Sequence, residues 1–268
     1  MSKTPTDPNV KRLRHPLKAR RLQVLNIAPV TPKMVRVTFH SPDLAGFVSS
    51  SFDDHIKLFF PADGQPVMPE ASSEGLRFPE GAERPAARDY TPRRYRKDVN
   101  QLDIDFLLHG DGPASNWVTQ AHVGDVLIAA GPRGSFVIPD TYDWQMLIGD
   151  ETALPAITRR LEEAGEGCHI HVLALVHDAS ERQAVETHAR VHIQWIYRQA
   201  PVSDSPHSDP LLKAVKAIQL PPGQGYIWAA GEAAQMRALQ HHLNIERGIE
   251  KSLMRISNYW KHTPEPAH

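Results

Sequence analysis

Between Arg20 and Ile138 the apolar positions come in short runs separated by proline, glycine and small polar residues. RRLQVLNIAPVT is split by Pro29, and Pro32 precedes the run Met34-Val35-Arg36-Val37-Thr38-Phe39. That run alternates imperfectly, as a strand with one face on a core does. HIKLFFP (55–61), QLDIDFLLH (101–109), DVLIAAGP (125–132) and RGSFVIP (133–139) have the same character. A short helix is expected over NWVTQAH (116–122). Six short strands with turn signals between them predict a small antiparallel barrel. Residues 62–87 are rich in Pro, Gly, Glu and Ala without a period, and read as a lid or an insertion. Residues 1–15, polar and basic, read as a mobile tail.

The pattern changes near residue 140. WQMLIGDETALPAITRRLEEAGEG reads as a buried strand, a turn and a helix, with Leu154, Ile157 and Leu161 at helical spacing and a glycine stop. CHIHVLALVHD and VHIQWIYR read as strands, DPLLKAVKAI as a helix, GYIWAAGE as a strand and AAQMRALQHHLNIERGI as a helix. Strand and helix alternate, which predicts a parallel sheet with helices on both faces. The expected organisation is a tail over 1–15, a six-stranded antiparallel barrel over 16–140 and a parallel α/β domain over 141–268.

Composition narrows the function classes. With 30 basic and 31 acidic residues the net charge is −1, so bulk electrostatics favour neither nucleic acid nor an anionic membrane. No apolar run approaches the roughly 20 residues that span a bilayer. The N-terminus lacks the apolar core of a secretory signal, so a cytoplasmic location is expected. One cysteine, Cys168, excludes an internal disulfide, a Cys-ligated iron–sulfur cluster and a Cys-rich zinc site. The 15 histidines, among them His169, His171, His241 and His242, have no carboxylate or cysteine at a known ligand spacing; no metal site is expected.

Three stretches carry candidate chemistry. In Arg88-Asp89-Tyr90-Thr91-Pro92-Arg93 an aromatic ring and a hydroxyl stand between guanidinium groups. Such a set suits a flat, phosphate-bearing ligand, and it also suits solvated surface charge. In Leu108-His109-Gly110-Asp111-Gly112-Pro113-Ala114-Ser115-Asn116-Trp117, glycines, a small residue and Ser115 open a short helix. That is a phosphate cradle of N–H groups and a hydroxyl, or a tight turn with Ser115 as N-cap. Gly149-Asp150-Glu151-Thr152-Ala153-Leu154-Pro155 and Ala229-Ala230-Gly231-Glu232 end strands where open α/β sheets bind ligands. Ordinary capping by Asp150 or Thr152, with Pro155 in the first turn, accounts for the former equally well. Neither GxGxxG nor a P-loop is present.

Together these words resemble the siderophore-interacting protein family of FAD-dependent ferric-siderophore reductases, within the ferredoxin–NADP reductase-like flavoproteins. The resemblance runs from about residue 17 to 262. It rests on RDYTPR, DIDFLLHGDGPASNW, GDVLIAAGPRGSF, LIGDETALPAI, the AAGE turn and the closing SNYWKH, in that order. It implies that the barrel binds FAD and that the α/β domain is NAD(P)-binding-like. Arg88, Tyr90 and Thr91 would hold the flavin, and Arg88 or Arg93 would balance phosphate charge. His109, Gly112, Ala114 and Ser115 would contact the diphosphate, and Thr152 and Ala153 would lie near the ring. Tyr259 and Trp260 match a terminal pair near the cofactor, though docking of the C-terminus onto the core explains them as well.

The implied activity is reduction of chelated Fe(III) to Fe(II) by a cytoplasmic monomer, with release of iron. FAD is the cofactor, and NADPH or NADH, or alternatively ferredoxin, is the donor. Outer-sphere transfer requires no acid–base residue, so no catalytic side chain is named. Lys57, Arg133 and Lys261 are the candidate cations for an anionic ferric siderophore, or else unrelated surface charges. Arg159, Arg160, Arg182 and Arg198 are candidates for a nucleotide 2′-phosphate. The rivals are a general flavin or ferredoxin reductase, a siderophore-binding adaptor with structural FAD, and a flavin-free nucleotide module.

Overall fold

The computed structural model describes residues 7, 9–62, 66–72, 75–198 and 209–262. The chain divides into two compact units, Lys11–Ile138 and Pro139–His268 with Met1–Val10.

In the first unit the strands are β1 Lys11–Arg14, β2 Ala19–Thr31, β3 Met34–His40, β4 Ile56–Phe60, β5 Glu70–Ser72, β6 Gly75–Arg77, β7 Ala86–Tyr90, β8 Arg94–Arg96, β9 Gln101–Leu107, β10 Val126–Ala130 and β11 Gly134–Val137. Seven form one curled antiparallel sheet, in the order β7-β4-β10-β2-β3-β9-β8. The expected six-stranded barrel is thus a seven-stranded half-barrel plus two separate two-stranded pairs, β1–β11 and β5–β6. Alternation sends Leu22, Val24, Val37, Phe39, Ile56, Leu58, Leu102, Ile104 and Phe106 into its concave core. The helix α1, Pro113–Gln120, lays Ala114 and Val118 on that core, with Trp117 packed beside them. The Trp117 ring lies 5.7 Å from Phe106 and 6.0 Å from Phe60 between centroids.

Two expectations change here. Residues 11–14 are not part of a mobile tail, because β1 pairs with β11 from Lys11↔Val137 to Arg14↔Gly134. The described part of 62–87 is not featureless either. Strands β5 and β6 pair, and Leu76 and Phe78 pack on Phe59, Ile128, Ala130, Leu17, Ala19 and Ala87, on the convex face of the sheet. An insertion with its own apolar contacts folds because it buries them. Proline and glycine content alone does not report that burial.

In the second unit β12 Trp144–Gly149, β13 His169–Val176, β14 Arg190–Tyr197, β15 Gly225–Glu232 and β16 Met254–Trp260 form a parallel sheet, ordered β14-β13-β12-β15-β16. Helices α3, Pro210–Ala217, and α4, Ala233–His241, cover one face through Leu211, Val215, Met236 and Leu239. The helix α2, Leu154–Glu163, lies on the other, the face to which Gly149 belongs. Four strands were expected. The fifth is the closing Met254–Trp260 segment, whose β-branched and aromatic content is short enough to read as a tail.

Candidate functional site

Strand β7 is an edge strand paired only with β4 in this sheet, and its alternation separates the RDYTPR word into two surfaces. Tyr90 pairs with Ile56 and faces the concave core, its ring centroid 4.6 Å from Phe106. Burial pushes the Tyr90 phenol well above its usual range, with the nearby Arg88 charge opposing that. The hydroxyl therefore remains a neutral donor at physiological pH. Arg88 is exposed and donates from Nη1 to its neighbour's carbonyl, Ala87 O, at 2.8 Å, which leaves its guanidinium at the surface. Thr91 is buried.

Arg93 has a different environment. It is 4% exposed, its Nε lies 3.8 Å from Asp105 Oδ2, and its N–H donates to Asp103 O. Asp105 also takes a bidentate pair from Arg36 at 2.6 and 2.8 Å, and Asp103 takes one from Arg96 at 2.6 and 2.7 Å. A buried guanidinium beside a buried carboxylate is a structural pair. Of the two arginines of this word, Arg88 is the exposed one.

The glycine stretch forms a helix entrance. Gly110 takes φ +49°, and Gly112 is the N-cap of α1 with no side chain capping it. Ser115, under one of the two readings the N-cap, is instead the third helical residue. Its buried hydroxyl accepts from His109 N–H at 3.2 Å and donates to His109 O at 2.9 Å. It pins the loop to the helix. Pro113 has no N–H, and helix geometry leaves the N–H groups of Ala114 and Ser115 without intrahelical partners. These two donors and the macrodipole make the anion-binding end. His109 is exposed on the same loop. A cleft of about 970 Å³ opens beside this helix, lined by Phe60, Arg84, Ala86, Pro113, Asn116 and Trp117 among others. That is at the upper end of the roughly 300–1,000 Å³ range of small-molecule sites. An uncapped helix start, an exposed arginine, a neutral tyrosine and an aromatic-walled cleft on one half-barrel fit a flavin dinucleotide.

Lys57 and Arg133 belong to the convex side of this unit. Lys57 pairs in register with Asp89 and Ala130, and its Nζ donates to Asp89 Oδ1 at 2.7 Å. The turn Gly131-Pro132-Arg133 runs against His55 and Ile56. A methyl group on Gly75 of β6 would lie 3.6 Å from Arg133 Nη2, so the β5–β6 hairpin borders this arginine.

In the second unit the carboxyl ends of the strands converge on Asp150, which is 1% exposed. Its Oδ1 accepts from the Thr152 N–H at 2.9 Å and the Thr152 hydroxyl at 2.5 Å. Its Oδ2 accepts from the Trp260 indole N–H at 2.8 Å and the Glu232 N–H at 3.2 Å. Asp150 thus caps the turn at Glu151–Ala153 and ties β12, β15 and β16 together. Gly231 has φ +158°, and a Cβ there would sit 2.9 Å from Asp150 Oδ2, so the AAGE turn admits glycine for the close approach. Glu232 caps α4 by accepting from Ala234 and Gln235 N–H. The Thr152 hydroxyl is spent on Asp150, and Ala153 is fully buried. Trp260 is 37% exposed, its neighbour Tyr259 meets Trp228 edge to face, and Lys261 is exposed.

The arginine candidates separate. Arg159 pairs with Glu163 and Arg160 with Asp140 and Gln145, both nearly buried. Arg198 forms a pair with Glu151 at 2.9 Å. Arg182 donates to the Tyr197 hydroxyl and lies over that ring, exposed at the carboxyl end of the sheet. The residues that sequence reasoning missed are Asp89, Asp150 as a hub, and Glu232. Asp89 leaves no local signal, because its partner Lys57 lies 32 positions away. Among the described residues no helix is long and apolar enough to cross a membrane.

Family models match both halves: the siderophore-interacting FAD-binding domain over residues 23–136 and the siderophore-interacting protein over residues 142–263. An Escherichia coli protein named NADPH-dependent ferric-chelate reductase is 34% identical over 264 residues, covering 97% of this chain and 99% of its own length. The ferric vibriobactin reductase ViuB of Vibrio cholerae is 33% identical, covering 87% and 85%. The crystal structure of a siderophore utilization protein from T. fusca superposes with a TM-score of 0.85 at 34% identity, covering 97% and 98%. With both halves matched and relatives aligned over nearly its full length, the chain belongs to the siderophore-interacting protein family.

Proposed function

We propose that the chain is an FAD-dependent ferric-siderophore reductase that takes electrons from NADPH and converts chelated Fe(III) to Fe(II). The observation that carries this reading is the alignment of 97% of the chain with a relative named for that activity, together with a half-barrel whose free groups suit FAD. When bound, FAD supplies hydride acceptance from a nicotinamide and single-electron delivery to iron. Hard oxygen ligands hold Fe(II) less well than Fe(III), so reduction loosens the chelate.

Arg88 and the Ala114 and Ser115 N–H groups at Gly112 neutralise the diphosphate. Tyr90 and Thr91 orient the flavin. Ser115 and His109 act through the loop they fix. Arg93 holds the strand through Asp105 rather than touching the cofactor. Thr152 and the buried Ala153 shape the turn after β12 rather than touching a ligand, Tyr259 packs on Trp228, and Trp260, fixed by Asp150, is the exposed aromatic group left for the cofactor. Arg182 is the arginine best exposed to read a 2′-phosphate. Lys57 and Arg133 attract the anionic chelate, and Lys261 is an exposed cation of the second unit.

Anaerobic stopped-flow tests the reading on the purified flavoprotein. NADPH is expected to bleach the visible flavin band, and a ferric siderophore is expected to restore it. No bleaching by NADPH or NADH, with recolouring by ferric chelates after chemical reduction, moves the donor to ferredoxin. Reoxidation by no ferric chelate removes the iron reading.

A further inference from the structure

The sheet register places a carboxylate where an anion-attracting surface is least expected to have one. Lys57 on β4 faces Asp89 on β7, across a pair whose side chains share the convex face with Phe59, Ile128, Ala130 and Ala87. The Lys57 Nζ to Asp89 Oδ1 distance is 2.7 Å. The next residues on either side, Arg88 and Tyr90, belong to the opposite face, so Asp89 takes no part in the flavin platform. Nor does the pair stabilise the strand much. The two side chains are 41% and 51% exposed, and exposed pairs of this kind contribute little because water and salt screen them.

We propose that Asp89 is a specificity-determining residue that sets the charge class of ferric chelate accepted at Lys57; this rests on the reductase reading above. The carboxylate neutralises the lysine and holds it across the β4–β7 pair. A highly anionic chelate has to pull Lys57 off Asp89 and approach a negative oxygen while doing so. A neutral chelate does neither and is admitted without that penalty. Among the described residues Arg133 has no carboxylate partner, so Lys57 is the cation of this face that a carboxylate screens. The pair is therefore a filter: it lowers the advantage that a bare basic cleft gives to the most charged ligands, and favourable like-with-unlike steering is partly cancelled.

The test is binding of redox-inert gallium(III) chelates to the FAD-loaded protein, measured calorimetrically at two ionic strengths. The probes are a triply anionic tris-catecholate and a neutral tris-hydroxamate. In Asp89→Asn the tris-catecholate is expected to bind about two- to fivefold more tightly at low salt, the size of a screened exposed charge contact, and the neutral probe to change less than about 1.5-fold. The gain is expected to shrink at high salt and to be smaller in the Lys57→Ala background, where only direct repulsion by Asp89 is left. Equal changes for both probes, no change for either, or a gain undiminished by Lys57→Ala each overturns the proposal. If the unsubstituted protein binds neither gallium chelate, the substrate reading itself fails, and that result is separate from any property of Asp89. Unchanged flavin absorbance and melting temperature in Asp89→Asn show that the variant is folded and loaded.

Discussion

Replacing Asp150 by alanine removes the acceptor of four hydrogen bonds and leaves the Thr152 N–H, the Glu232 N–H and the Trp260 indole N–H facing a cavity. Each buried donor left unpaired costs about 1–3 kcal/mol. Against this, the folded protein no longer holds a buried carboxylate, whose desolvation penalty is several kcal/mol. The net expectation is a loss of about 2–4 kcal/mol, or roughly 5–15 °C in melting temperature for a chain of this size. Trp260→Phe removes one donor and is expected to cost about 1 kcal/mol. In the Asp150→Ala background the same change is expected to cost close to nothing, because its partner is already gone. The sign of the pH dependence gives a second readout. Burial pushes the Asp150 carboxyl above its ordinary value of 3.8, more than donation from Thr152 and Trp260 pulls it down. The folded state then binds this proton more tightly than the unfolded state. The Asp150 contribution to stability falls as pH rises from the unfolded value through the folded one, and it is flat above. Thermal melting by calorimetry across pH 4 to 8 checks all three. A melting temperature for Asp150→Ala within a degree of the parent, or additive losses in the double variant, would refute the hub.

Arg88→Ala is expected to weaken FAD binding by about ten- to a hundredfold, the loss of one charge-assisted contact, read by titration of the apoprotein; unchanged affinity removes Arg88 from the site. Gly149→Ala places a Cβ 2.4 Å from Ala153 Cβ and 2.7 Å from Ala230 O, so urea unfolding should register a loss of about 1–3 kcal/mol from overpacking. Asp103 has the opposite titration to Asp150. Burial raises its carboxyl, but donation from Arg96 and Thr38 and the charges of Arg96 and Arg36 more than offset that, and it sits below 3.8. Its stabilising contribution is present above the unfolded value and lost as pH falls through the folded one, so Asp103→Asn should flatten the acid limb of the stability curve.

Much of the function was legible in one dimension because the words that carry the family resemblance are contiguous turns. RDYTPR, the glycine-opened helix and the GDETALP turn each place backbone donors, a ring or a hydroxyl within a few residues, and local sequence dictates local backbone. Apolar runs punctuated by proline and glycine likewise determined strand by strand that an antiparallel sheet precedes a parallel one. What only the tertiary structure decided is which face and which partner each side chain takes. Arg88 and Arg93 look alike in the sequence, yet Arg88 stays at the surface while Arg93 is buried beside Asp105. Ser115 is spelled like a cap and instead bonds back to His109. Asp89 lies between the platform residues and belongs to Lys57, from a strand 32 positions away. Asp150 reaches Trp260 across 110 positions. The physical reason is common to all four. A carboxylate, guanidinium or hydroxyl has no intrinsic partner, and register, burial and crossover topology decide which charge, donor or acceptor it meets.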